Sequence, residues 1–122
     1  MKPVTKLSED TIHISIVGYL GYALPRSAVF WHTPNTFSNA KPQFHAKLKR
    51  MGRLAGVPDI LVLHAGRIFG LEVKATTGRL SESQKAFRPV FENAGGSYHI
   101  VRSIDDVKAV LDSHQITRRD AA

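Results

Sequence analysis

Apart from Arg67, three charged side chains interrupt a largely apolar stretch of this sequence. Residues 56–74 read GVPDILVLHAGRIFGLEVK, with Asp59 near the start and Glu72 and Lys74 at the end. Unpaired charge in a buried strand is costly, so these residues need a chemical reason for their position. Two carboxylates and a lysine can hold a divalent cation and stabilise negative charge on a reacting phosphate.

The spacing predicts that these residues meet on one face of a β-hairpin. Strands are expected over 59–64 and 67–74, joined at Ala65-Gly66. A two-residue or a four-residue loop places Asp59 opposite Glu72, whereas a three-residue loop would break that pairing. Alternation puts Lys74 on the same face as Glu72. Facing carboxylates about 5 Å apart repel each other, so they need a cation between them or a shared proton.

This set suits hydrolysis of a phosphodiester bond. In-line attack by water needs a metal that lowers the pKa of the water and neutralises charge on the phosphate oxygens. Asp59 and Glu72 can hold that metal, and Mg²⁺ is favoured because it prefers oxygen ligands and retains several waters. Lys74 either orients the attacking water or stabilises the developing charge, and the sequence leaves both roles open.

The charge distribution predicts a polyanionic partner. The 122 residues include 17 Lys and Arg against 10 Asp and Glu, a net charge of +7, and no acid lies between Asp10 and Asp59. Basic residues in that gap are candidates to contact phosphates, although a solvated basic face is the alternative. These candidates are Lys41, Lys47, Lys49, Arg50 and Arg53, and a second group, Arg79, Lys85 and Arg102, flanks the predicted site.

Composition excludes several classes of protein. The absence of cysteine excludes disulfides, thiolate zinc sites and thiol nucleophiles. No apolar run approaches the roughly 18 residues of a membrane-spanning helix, and the start, MKPVTKLSED, lacks the apolar core of a signal peptide. A soluble protein without a membrane partner is expected, and its length suits a single domain over 1–122.

Hydrophobic periodicity and capping residues predict the order αβαββαβα. Helices are expected over about 8–23, 42–51 and 81–94 and from Ser103 onward, with further strands at SAVFWH and SYHIVR. Pro89 should kink or split the third helix, Trp31 is interpreted as a core residue, and the tail from about 114 to 122 is expected to be frayed. The fold class is therefore α/β, with a mixed sheet flanked by helices.

Several motifs of this chain resemble a known nuclease family. Pro58-Asp59 followed by Glu72-Val73-Lys74 resembles the signature of the PD-(D/E)XK nuclease superfamily, whose core is restriction-endonuclease-like. Further motifs look like those of the VRR-NUC family in order and spacing, and together they cover nearly the whole chain. They are His32-Thr33-Pro34-Asn35, Gly56-Val57-Pro58-Asp59, Gly78-Arg79-Leu80-Ser81 with Gln84, and Val101-Arg102-Ser103.

The resemblance implies a DNA endonuclease dependent on Mg²⁺ or Mn²⁺, with no organic cofactor. It matches Asp59, Glu72, Lys74 and Gln84 to the catalytic pattern and makes the Val73 carbonyl an extra metal ligand. Glu9 matches the family's first-helix glutamate, which can act in catalysis and can bind the metal directly or through water. Glu9 and Gln84 each have a structural alternative. Glu9 can stabilise the helix start, and Gln84 can complete a capping box with Ser81.

Two departures from the family pattern lie outside Asp59, Glu72 and Lys74, and they leave the substrate preference open. His13 stands where such sequences often have glutamine, and it is interpreted as a partner of Glu9 or as an edge-of-core histidine. Val101-Arg102-Ser103 replaces the Val-Arg-Arg that gives the family its name.

The minimal length is similar to that of stand-alone viral and bacterial members of the family. That similarity implies a homodimer that acts on branched DNA as a Holliday-junction resolvase does, in the cytoplasm of a bacterium or an infected host. The alternatives are a superfamily nuclease acting on linear duplex or single-stranded DNA, and a non-catalytic nucleic-acid-binding module.

Overall fold

The computed structural model describes residues 7–34 and 39–121, so Asn35 of the first motif lies outside the described residues. The elements follow the predicted order, αβαββαβα. They are α1 (Glu9–Ala23), β1 (Ala28–His32), α2 (Pro42–Arg50), β2 (Ile60–His64), β3 (Arg67–Val73), α3 (Glu82–Asn93), β4 (Ser97–Val101) and α4 (Ile104–Ser113).

The four strands form one mixed sheet in the order β1-β2-β3-β4. The first two pairings are antiparallel and the β3–β4 pairing is parallel. His64 pairs with Arg67 and Ile60 with Leu71, so the predicted register of the hairpin is confirmed. Ala65 and Gly66 both have positive φ, 51° and 76°, which is the backbone of a two-residue turn that matches the twist of the strands.

The hydrophobic core lies on one face of this sheet. Alternate residues of β3, Phe69, Leu71 and Val73, face the core and are fully buried. Helices α1 and α4 pack on them through Ile12, Ile16, Leu20, Val107 and Leu111. Helix α3 packs on β4, where the rings of Phe91 and Tyr98 lie 6.5 Å apart. The opposite face of β3, which carries Glu72, is therefore the face that can be used for chemistry.

Helix α3 is not split at Pro89, contrary to one of the two expected outcomes. It runs unbroken from Glu82 to Asn93 with Pro89 inside it. Pro89 lies on the exposed side of the helix, where water can bond the carbonyl that the missing N–H leaves free.

Residues 114–121 differ from the frayed tail expected from the sequence. Ile116 is buried in the core, and the Arg119 N–H donates to the Ala23 carbonyl at 2.8 Å. Arg118 binds Asp120, whose carboxylate also accepts from the Tyr19 hydroxyl at 2.9 Å. A lone isoleucine among polar residues gives no periodic signal, so the sequence could not indicate this packing.

An apolar strip, Val29, Trp31 and Leu63, remains exposed on β1 and β2. Val29 pairs with Leu63, so these side chains share the face opposite the core. Trp31 is 40% exposed, and its interpretation as a core residue is wrong, because β1 is an edge strand and this face of it is uncovered. Within the described ranges, no helix has the length and apolar character needed to cross a membrane.

Candidate active site

Asp59, Glu72 and Lys74 come together at the end of the hairpin remote from its turn. The Val73 N–H donates to Asp59 Oδ2 at 2.8 Å, and Lys74 Nζ lies 3.5 Å from Glu72 Oε2. Glu72 is 2% exposed and Lys74 is 8% exposed. They are buried charged side chains in a sheet whose other buried positions are apolar, as the sequence pattern predicted.

Two glycines allow the loop before β2 to carry Asp59 into this position. A Cβ on Gly70 would lie 2.3 Å from Pro58 Cγ, so Pro58 packs directly on the bare backbone of β3. Gly56 has a φ of +85°, and a Cβ there would lie 2.2 Å from the Ser83 carbonyl oxygen. The loop therefore fits between β3 and the start of α3 only because both positions lack a side chain.

The electrostatic environment of Glu72 favours a proton on its carboxyl group. Burial raises the pKa of Glu72 to about 8, and hydrogen bonding and the negative charge of Asp59 act in the same direction. Lys74 acts in the opposite direction but does not offset these effects. Without a bound cation, burial beside Asp59 therefore favours the protonated form of Glu72.

Tyr98 adds a buried hydroxyl that the sequence analysis did not identify. It is 2% exposed, and burial, followed by the charges of Glu72 and Asp59, raises the pKa of Tyr98. The Arg88 guanidinium lies 5.6 Å from the centre of its ring. Only strand pairing could reveal this residue, because the parallel register aligns Tyr98 with Gly70 on the Glu72 face.

Glu9 reaches the same region from the start of α1. A Cβ on Gly78 would lie 3.2 Å from Glu9 Oε1 and 3.3 Å from Lys74 Cβ, so Glu9 and Lys74 flank one glycine. Glu9 and Asp10 also occupy the first turn of α1, where Ser8 is the N-cap. The helix-stabilising role and a role at the site are therefore compatible.

His13 packs against His32, a residue interpreted from the sequence as structural or surface. Their ring centres lie 4.6 Å apart in an edge-to-face arrangement. His32 Nδ1 is 3.0 Å from the Asp59 carbonyl oxygen, and the Thr33 N–H donates to the same oxygen at 2.8 Å. Burial, and then His32, lower the pKa of His13. His32 thus helps to hold the backbone of Asp59, while the expected contact of His13 with Glu9 stays a prediction.

Gln84 forms the capping box expected from the sequence. Its Oε1 accepts from the Ser81 N–H at 2.8 Å, and its own N–H donates to Ser81 Oγ at 3.3 Å. The side-chain NH₂ group is left for another partner. Gln84 also lines a cavity of about 230 Å³, so its catalytic role stays a prediction that is compatible with the cap.

The two carboxylates fit a hard divalent cation. Glu72 Oε1 is buried and has no hydrogen-bond partner among the described residues, and Asp59 Oδ2 accepts from the Val73 N–H. Over residues 7–34 and 39–121 no cluster of three His, Cys, Asp or Glu side chains could hold a metal. Two carboxylates completed by water and a main-chain oxygen are the ligand set that Mg²⁺ takes. The Val73 carbonyl as that oxygen stays a prediction.

The basic residues of α2 are all at the surface. No residue of α2 is buried, and Lys47, Lys49 and Arg50 occupy its last turn, where they also stabilise the helix dipole. Lys49 and Arg53 line a cavity of about 340 Å³. That cavity shares Arg53 and Ala55 with the smaller one that Gln84 lines. Two adjoining cavities therefore lead from α2 toward Gly56, in the loop that carries Asp59.

The second group of basic residues has mixed surroundings. Arg79 is exposed, and Lys85 is an exposed side chain 3.4 Å from Glu82. Arg102 Nη1 donates to the carbonyl oxygens of Ala75 and Gly78. Arg102 therefore fixes the turn after Lys74, and its contact with DNA stays a prediction.

Comparison with known proteins gives one clear result on the fold. No family model matches the sequence, and no curated protein matches it. A solved structure described as "VRR_NUC domain protein" superimposes with a TM-score of 0.64 at 22% sequence identity, covering 88% of each chain. The chain has a VRR_NUC-like fold. The predicted fold class is therefore confirmed, and the hairpin with Asp59, Glu72 and Lys74 belongs to a VRR_NUC-like framework.

Proposed function

We propose that this protein is a metal-dependent endonuclease that hydrolyses phosphodiester bonds in DNA. The observation that carries the proposal is the buried set of Glu72, Lys74 and Asp59, in which an acid with a pKa near 8 lies beside a second acid and a lysine. Burying such a group is costly, and groups with strongly shifted pKa values cluster at functional sites. The VRR_NUC-like fold supports the proposal, because the solved structure with that description shares it.

Each residue of the set has a role that follows from its surroundings. Asp59 and Glu72 would hold Mg²⁺ or Mn²⁺, which supplies a water of lowered pKa and neutralises charge on the phosphate. Lys74, held 3.5 Å from Glu72, orients the attacking water or stabilises the developing negative charge. The exposed basic residues of α2 bind the DNA backbone and draw it toward the site.

Cleavage of matched DNA substrates tests this activity. The substrates are a four-way junction, a flap, a linear duplex and a single strand, each with Mg²⁺, Mn²⁺ or EDTA. Cutting should require a metal and should be lost in Glu72→Gln. Glu82→Gln is the matched control, because Glu82 is a fully accessible acid at the start of α3, and it should cut like the wild type. Salt-sensitive binding of these DNAs without cutting under either metal would favour a non-catalytic binding module.

Branched DNA is the substrate class that we propose, with two copies of the chain acting together. A four-way junction needs two symmetric cuts, and a two-fold dimer presents two equivalent sites. The exposed apolar strip of Val29, Trp31 and Leu63 supports a second copy, since such surfaces are typical of interaction sites. Paired nicks on the junction by a dimer would agree with this. A monomer bound to the junction, or equal cutting of linear DNA, would favour the alternative superfamily nuclease.

A further inference from the structure

Tyr98 lies within reach of Glu72 on the same face of the sheet. The register aligns Tyr98 with Gly70, and it aligns Glu72 with Ile100 two residues further along β4. Neighbouring strands are about 4.8 Å apart, and two residues span about 7 Å along a strand. A tyrosine and a glutamate side chain together are long enough to span that distance, and the charge of Glu72 acts on the Tyr98 hydroxyl.

Two polar atoms in this region lack partners among the described residues. Tyr98 Oη and Glu72 Oε1 are both buried without a hydrogen bond. Neither atom is bonded to another described protein group, and buried polar groups in folded proteins are almost always paired with protein or with ordered water. The two atoms are complementary, because a tyrosine hydroxyl donates and a carboxylate oxygen accepts.

We propose that Tyr98 is a positioning residue for Glu72, whose Oε1 is linked to the Tyr98 hydroxyl by hydrogen bonds through one ordered water. This link fixes the orientation in which the Glu72 carboxylate faces Asp59. The second lone pair of Oε1 stays available for a metal ion, and groups that orient ligands in this way strengthen metal binding. The metal-binding consequence rests on the proposed function, whereas the Tyr98–Glu72 link itself does not.

The packing of the ring supports a fixed hydroxyl. Phe91 meets the Tyr98 ring at an interplanar angle of 80°, and Arg88 lies 5.6 Å from the ring centre. A phenylalanine could make both contacts equally well. Packing therefore does not explain the hydroxyl. An acceptor for it lies on the face of the sheet that carries Glu72.

The link is tested on metal-free protein with Tyr98→Phe in two backgrounds. In the wild type, loss of the hydroxyl should lower the melting temperature by about 3–5 °C, the shift that one hydrogen bond gives in a domain of this size. In a Glu72→Leu background, which has no acceptor, the same substitution should leave the melting temperature unchanged or raise it. An equal effect in both backgrounds would overturn the proposal.

The positioning role is tested by Mn²⁺ binding without DNA, measured by titration calorimetry. Tyr98→Phe should raise the Kd for Mn²⁺ about tenfold or more. Tyr19→Phe is the matched control, because the Tyr19 hydroxyl donates to Asp120 at 2.9 Å in the tail. It should lower the melting temperature and leave the Kd unchanged. An unchanged Kd in Tyr98→Phe would show that Tyr98 acts on stability alone and would overturn the positioning role.

These results are separate from the proposed function. A wild-type protein that binds no Mn²⁺ or cuts no DNA would remove the nuclease proposal, while the two-background comparison would still decide whether Tyr98 and Glu72 are linked. Metal-dependent cutting together with an equal effect of Tyr98→Phe in both backgrounds would keep the nuclease proposal and remove this inference.

Discussion

Glu72 illustrates at the level of one residue how the site stores electrostatic free energy. It is buried beside Asp59 and within 3.5 Å of Lys74, so its ionised form is disfavoured by desolvation and by a neighbouring acid. The single positive charge of Lys74 offsets only part of the free-energy cost of ionising Glu72. A bound cation would relieve both acids at once, so metal binding and stability are linked at this position.

We predict that metal-free protein loses stability between about pH 4.5 and pH 8 because of Glu72. The folded-state pKa is raised from 4.5 to about 8, so in this interval the unfolded chain has released a proton that the folded protein retains. Stability therefore falls as pH rises, by at most about 1.4 kcal/mol per pH unit, and levels off above the folded pKa. Urea unfolding at several pH values in EDTA, compared between wild type and Glu72→Gln, measures this contribution.

The variant should lack this contribution because glutamine does not titrate. The difference in unfolding free energy between the two proteins should change in favour of Glu72→Gln as pH rises from 5 to 8. A difference that is constant over this range would contradict the raised pKa.

Lys74 should matter for the chemical step. We predict that Lys74→Met lowers kcat by about 10²–10³-fold, the cost of removing one group that stabilises transition-state charge. Single-turnover cleavage at saturating enzyme measures the chemical step without the binding step. Lys108→Met, which removes a lysine near Asp120 in the tail, should cut at the wild-type rate. A loss of DNA affinity with unchanged kcat would instead make Lys74 a binding residue.

At the scale of elements, local sequence signals predicted the fold well. Ser8, Ser81 and Ser103 cap α1, α3 and α4 with side-chain hydrogen bonds to the backbone. The hairpin register followed from the loop at Ala65-Gly66. Once the loop length is even, it fixes which residues pair, and alternation then fixes the face of each side chain.

Local sequence signals did not predict the long-range contacts. Tyr98 and His32 join the site through strand pairing and helix packing, and Ile116 enters the core without any periodic neighbour. Trp31 was placed wrongly because periodicity cannot tell which face of an edge strand will be covered. Such placements depend on which elements meet, and local patterns carry no information on that.

The loop before β2 is the element on which Asp59 depends, and we predict that Gly56→Ala disrupts it. Alanine would adopt a strained positive φ and collide with the Ser83 carbonyl oxygen, at a cost of about 2 kcal/mol or more. Gly18→Ala is the control, since a Cβ on Gly18 in α1 meets nothing within 4 Å. It should stabilise the protein by about 0.5–1 kcal/mol.

Urea unfolding measures both glycine substitutions. DNA cleavage should also fall in Gly56→Ala, because the collision moves the loop that carries Asp59 away from β3. An equal gain in stability from the two substitutions would show that the loop does not need the close approach to α3.

At the scale of the whole molecule, charge is separated between a basic surface and a buried acidic site. The net charge is +7, and α2 places its lysines and Arg50 in solvent, with none of its residues buried. Two adjoining cavities that share Arg53 lead from α2 toward the loop that carries Asp59. In the proposed function, the surface attracts a phosphate backbone while the acids stay shielded from it until a cation binds.

We predict that DNA binding depends steeply on salt and that the last turn of α2 carries much of this dependence. Each phosphate contact adds about 0.9 to the slope of log K against log salt. The triple variant Lys47→Gln, Lys49→Gln, Arg50→Gln should therefore reduce the slope by about 2 to 3. Fluorescence anisotropy with a labelled four-way junction, in a Glu72→Gln background that prevents cutting, measures the slope.

A second triple variant separates local contacts from net charge. Arg26, Arg67 and Arg119 are exposed and lie outside α2, so changing all three to Gln removes the same charge from other surfaces. If α2 contacts phosphates, this control should keep most of the wild-type slope, because ions released from the DNA reflect contacts made and not total charge. Equal reductions in the two variants would mean that the protein attracts DNA through its overall charge, and α2 would then be an ordinary solvated helix.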